Sequence, residues 1–145
     1  MIQANVFRRS TVSAFVTGCL LFSLPGCAPV ETAIIAEPGV SFALPVGQTV
    51  SVKGTDTRLT FSEVRNDSRC PTDVTCVWED DATISVVVAR DGAANETRIM
   101  TIRAPNNEAH TDNLRIRFVG LAPVPRQADA NVPRKYVAQF VIDSL

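Results

Sequence analysis

From Val40 onward, apolar residues recur at every second position in a series of short segments, and this period of two restricts the folds open to the chain. Leu114, Ile116 and Phe118 alternate with Arg115 and Arg117, and Tyr136, Ala138, Phe140 and Ile142 repeat the pattern near the C-terminus. The same spacing runs through Val40, Phe42 and Leu44, through Val50 and Val52, and through Leu59 and Phe61. It returns in Ala82, Ile84, Val86 and Val88, with Met100 and Ile102 following. Turn residues separate the segments: Pro45 and Gly47, then Gly54-Thr55-Asp56, then Asp91-Gly92. Past residue 26 no window holds a helical stripe for more than two turns. Seven or eight short strands with one wet face each bury their apolar faces only against a second sheet or by closing on themselves. The expected fold is therefore all-β, a small antiparallel β-sandwich, with a small β-barrel as the alternative.

The first 26 residues follow a different logic. Arg8 and Arg9 precede an apolar run from Val12 to Leu24, and small residues then precede a cysteine, the three parts of an export signal. The run is too short for a membrane-spanning helix of roughly 20 residues, and Gly18 and Pro25 punctuate it. Leu24-Pro25-Gly26-Cys27 resembles the lipobox of bacterial lipoproteins, whose cysteine receives diacylglycerol. Val16-Thr17-Gly18-Cys19 also fits that motif, but cleavage there shortens the apolar segment to nine residues after Arg9. Cys27 is the expected lipidation site. The resemblance implies an envelope protein anchored to a membrane leaflet through its lipid. Ala28 stands where enteric lipoproteins retained at the inner membrane have aspartate, which implies the outer membrane, facing the periplasm. Residues 27–39, with Pro29, Pro38 and Gly39, read as a lipid-anchored tether, and 40–145 as a single domain.

Four cysteines then sort into three fates. Cys19 leaves with the leader, Cys27 is acylated, and Cys70 and Cys76 remain; in an oxidising envelope they are most simply a disulfide. Redox pairs usually have two intervening residues rather than five, and the sole histidine, His110, stands 34 positions beyond Cys76. A copper or redox site is thus the weaker reading.

Asp67-Ser68-Arg69-Cys70-Pro71-Thr72-Asp73-Val74-Thr75-Cys76-Val77-Trp78 breaks the alternation. It resembles a family of small, uncharacterised bacterial secreted and lipid-anchored proteins with an Asp-Ser-Arg-Cys-Pro…Cys-x-Trp signature. The likeness extends back through Thr49–Val64 and forward, more weakly, to Pro123-Val124-Pro125. Family members often have a glycine soon after the tryptophan, where this chain has Glu79-Asp80-Asp81. The resemblance implies the fold and the disulfide and assigns no activity. Read physically, the segment is a stapled corner. Asp67 and Ser68 are turn formers. Cys76 and Trp78 share a face if their segment is extended, so that the indole covers the disulfide. Arg69 has Asp67, Asp73 and the Trp78 face within reach of its chain position. Arg69, Asp73 and Trp78 form a candidate recognition loop; the competing reading is a structural plug at one end of the sandwich.

Little else suggests chemistry. With Arg8 and Arg9 removed, 12 basic side chains face 15 acidic ones, which offers no general attraction to nucleic acid. One histidine in the polar stretch Asn106–Asn113 gives no oriented base, and it reads as a surface residue. Glu79-Asp80-Asp81 lacks the alternate-position oxygens of a calcium loop and reads as a solvated turn. Arg115 and Arg117, with Arg98 and Arg103 on a neighbouring strand, read as the charges of a wet sheet face. No catalytic residue, cofactor or metal is expected. The function expected is a non-catalytic binding or structural accessory of the envelope, with an envelope protein as partner. The alternative is an inhibitor-like domain that presents the Cys70–Cys76 loop to an envelope hydrolase or protease.

Overall fold

The computed structural model describes residues 34–111 and 113–145; the expected leader, Cys19 and the expected lipidation site Cys27 lie outside the described residues. Among the described residues nine strands form two sheets. The first sheet contains β1 (Ile34–Ala36), β3 (Thr49–Val52), β4 (Thr57–Asp67), β5 (Ala82–Arg90) and β6 (Glu96–Thr101), side by side in that order. The second contains β2 (Ser41–Pro45), β9 (Val137–Ser144), β8 (Leu114–Ala122) and β7 (Glu108–His110), again in that order. All neighbours are antiparallel except β1 and β3, which pair Ile34 with Val50 and Ala36 with Val52 in parallel. The two sheets do not close on each other, so the molecule is a sandwich and the barrel alternative falls away.

The alternation places the core as expected. Val50, Val52, Leu59, Phe61, Ile84 and Val86 from the first sheet meet Leu44, Leu114, Ile116, Phe118, Phe140 and Ile142 from the second, all buried. Phe140 is the centre of an aromatic cluster. Its ring centroid is 5.9 Å from Phe42 and 5.8 Å from Phe118 within its own sheet, and 6.4 Å from Phe61 across the sandwich in an edge-on contact. The expected turns form as well: Gly54 (φ 77°) and Gly92 (φ 76°) take the left-handed backbone that a side chain resists, joining β3 to β4 and β5 to β6.

Three local expectations change. Ile34–Ala36, which falls inside the span expected to be tether, is a strand of the first sheet, and Ala36 is buried in the core. The stretch expected to be a polar loop around His110 contains β7, where Ala109 buries opposite Ile116 while His110 stays exposed. Both strands are three residues long, too short for alternation to show. Val40, expected to share a buried face with Phe42 and Leu44, lies before β2 and is 53% exposed, because burial falls away toward the end of this edge strand. The arginines also separate: Arg98 lies on β6 in one sheet, and Arg115 and Arg117 lie on β8 in the other. Arg115 and Arg117 both pair with Asp143 (3.1 and 3.0 Å), and Arg98 pairs with Glu96.

Candidate binding surface

The disulfide expected from the cysteine count is present: Cys70 and Cys76 are bonded, with Cα atoms 5.9 Å apart. The segment it closes is not a strand. Thr72 to Trp78 runs through turns and bends, so the shared face expected for Cys76 and Trp78 does not exist. The indole is instead held by its Nε1, which donates to the Ser68 carbonyl at 3.0 Å, and it remains 57% exposed.

Arg69 takes the partner next to it in sequence. Its Nε and Nη2 donate to the two carboxylate oxygens of Asp67 at 2.7 and 2.9 Å. Two further donors reach the far sheet's end: Nη2 bonds the Pro123 carbonyl at 2.9 Å, and Nη1 bonds the Leu121 carbonyl. The pair is nearly excluded from water, with side chains 9% and 6% exposed. Planar donors in a fixed fork match such a set of acceptors, a geometry lysine lacks. Asp67 is also bonded by the Tyr136 hydroxyl (3.1 Å) and lies 3.5 Å from Arg134. Burial alone would push the Asp67 carboxyl up, but the Arg69 guanidinium and the Tyr136 hydroxyl together hold it below its ordinary value.

Asp73, exposed at the surface, is also tied to the domain. Its carboxylate accepts from the backbone N–H groups of Gln127 (2.7 Å) and Ala128 (3.2 Å), which open the short 3-10 turn Gln127–Asp129. Those bonds hold its carboxyl below the usual aspartate value. Thr72 N–H donates to the Pro125 carbonyl at 3.0 Å, adding a main-chain tie between the stapled loop and the 123–129 segment. The acidic run is spent on three different partners. Glu79 pairs with Arg103, Asp80 accepts from the Cys70 N–H (2.8 Å), and Asp81 accepts from the Ala82 N–H (2.9 Å). It acts as a set of backbone caps and an ion pair. Among the described residues no group of three His, Cys, Asp or Glu side chains is placed to hold a metal ion.

Of the three candidate recognition residues, Arg69 and Asp73 are thus struts, and Trp78 faces solvent. Val77, unmarked in the sequence reading, is 98% exposed beside it, and Val74 in the same loop is 39% exposed. A cleft of about 510 Å³ opens nearby, between the segments on either side of the 3-10 turn. Pro123, Val124, Val132 and Pro133 supply its apolar walls, and Arg126, Arg134 and Lys135 its cations. None of these seven stood out as a site residue from sequence; Pro123 and Val124 fell within the weaker end of the family resemblance.

Fold and surface together define a disulfide-stapled β-sandwich with a rigid loop and an adjoining cleft at one end. No protein-family model, curated protein or solved structure matches the chain.

Proposed function

We propose that this chain is a lipid-anchored module of the bacterial cell envelope, held through Cys27, that binds a protein partner without catalysis. The observation that supports the binding role is the exposure of Val77 and Trp78 on a loop that the Arg69 and Asp73 side chains tie to the domain. Apolar side chains in water carry a standing cost that a partner removes, and tryptophan is among the residues that most often dominate binding energy. The disulfide, Arg69 and Asp73 hold the loop before any partner arrives, so little ordering entropy is lost on association.

Photo-crosslinking from position 78 in intact envelopes tests this reading. A discrete crosslinked protein is expected, lost when Val77 is changed to Glu. A ladder of unrelated products, or none, rejects the binding role. Capture of a hydrolase whose activity falls on binding assigns the inhibitor-like alternative instead.

A further inference from the structure

We propose that the cleft between Pro123–Arg126 and Val132–Lys135 is a site for a small organic anion with an apolar body. The cleft measures about 510 Å³, inside the roughly 300–1,000 Å³ range of small-molecule sites. Its walls are apolar and left in water: Val124 is 57% and Val132 58% exposed, flanked by Pro123 and Pro133. A proline offers no N–H and has a fixed φ, so this lining presents shape and apolar area more than hydrogen bonds.

The charge around the cleft selects the ligand's head group. Three cations, Arg126, Arg134 and Lys135, stand against one carboxylate, Asp129. Arg134 is positioned from behind by Asp67 (3.5 Å) and by the Tyr136 hydroxyl (3.4 Å). Among the described residues Arg126 and Lys135 make neither a hydrogen bond nor an ion pair with any carboxylate; the Arg126 charge helps to hold the Asp73 carboxyl down, but that carboxylate bonds the Gln127 and Ala128 amides instead. Arg126 and Lys135 stand exposed beside the half-buried Arg134, so an anion gains in this cavity where a cation or neutral sugar does not. A carboxylate, phosphate or sulfonate supplies the acceptors that guanidinium and ammonium groups pair with most strongly.

The floor is built to stay open. The Pro123 carbonyl is tied to Arg69, the Pro125 carbonyl to Thr72, and the 3-10 turn to Asp73. All three ties come from the stapled corner, so the Cys70–Cys76 loop buttresses the cleft. This inference is independent of the protein-binding reading, which rests on Val77 and Trp78.

Calorimetric titration of the purified full chain in a non-ionic detergent, with detergent blanks subtracted, tests it. The probes are naphthalene sulfonate, naphthoate and naphthyl phosphate, with naphthalene methanol as the neutral control. Saturable one-site binding is expected for the anions, with the neutral probe weaker by about tenfold or more, the scale of one charge-assisted contact. The order among the three anions identifies the head group. The double variant Arg126→Gln, Lys135→Gln should bind about tenfold more weakly at an unchanged melting temperature, since neither side chain supports the fold. Equal binding of the neutral probe, an unaffected double variant, or no saturable binding of any anion overturns the proposal. Crosslinking from position 78 is expected to be unchanged in the double variant.

Discussion

Arg69 and Asp67 lie two residues apart and meet side by side, with Nε and Nη2 of the one 2.7 and 2.9 Å from the two carboxylate oxygens of the other. The remaining guanidinium bonds run to the Leu121 and Pro123 carbonyls, so a local pair clamps the end of β4 to the end of β8. Replacing Arg69 with Met leaves a buried carboxylate short of its main partner and two carbonyls without donors. A loss of about 3 kcal/mol in urea unfolding is expected, and Arg69→Lys should recover little of it. A loss below about 1 kcal/mol would show that the clamp is dispensable.

Acid should weaken the fold in a defined window. Asp67, Asp73 and Asp143 all have carboxyls held below 3.8, their ordinary value. For Asp143, burial opposes the shift and the Arg115 and Arg117 guanidinium groups prevail. Because the folded value is the lower one, the unfolded chain takes up protons first as pH falls. Stability is therefore fully present above the ordinary value and drains away as pH drops through the folded values. Unfolding free energy measured from neutral pH into acid should stay level and then fall. Asp67→Asn should be less stable at neutral pH and lose less in acid; a parallel curve would contradict the role given to Asp67.

The staple and the tryptophan should separate in their effects. Reducing Cys70–Cys76 frees a short loop and should cost about 2 kcal/mol from chain entropy. Trp78, more than half exposed, should cost less than about 1 kcal/mol on change to Ala, since little apolar area returns to water. Its native emission should already be that of a wet indole. A blue-shifted native spectrum, or a loss of about 3 kcal/mol, would place the ring in the core instead.

Phe140→Ala removes the ring that touches Phe42, Phe118 and Phe61, the last across the sheets. A loss of about 3–5 kcal/mol is expected in denaturant unfolding. Phe42, only half-buried at an edge strand, should cost clearly less on the same change. Equal losses would argue against a cluster centred on Phe140.

The proposed lipid anchor has its own test. Cys27→Ser should move the protein from the membrane to the soluble fraction, while Cys19→Ser should leave it membrane-bound and lipid-modified. Lipid on the Cys27→Ser protein would move the anchor elsewhere.

Much of the fold is legible along the chain because alternation is a local signal. Leu114, Ile116 and Phe118 bury and Arg115 and Arg117 do not, since successive side chains on a strand point to opposite faces whatever sheet the strand joins. The disulfide is legible too, because the reading that assigns Cys19 to an export leader and Cys27 to a lipid anchor leaves only two cysteines to pair. β1 and β7 are too short for alternation to reveal them, and spacing alone misplaces Trp78 because the segment closed by the disulfide runs through turns and bends rather than a strand. Which distant residues share the stapled end is set by tertiary packing alone. Asp67 meets Tyr136 across 69 positions, Arg69 meets Pro123 across 54, and Asp73 meets Gln127 across 54. No pattern in the chain encodes those meetings, because they depend on sheet order and on the packing of one sheet's end against the other. That packing turns two expected recognition residues into struts and assembles Arg126, Arg134 and Lys135 around one cleft.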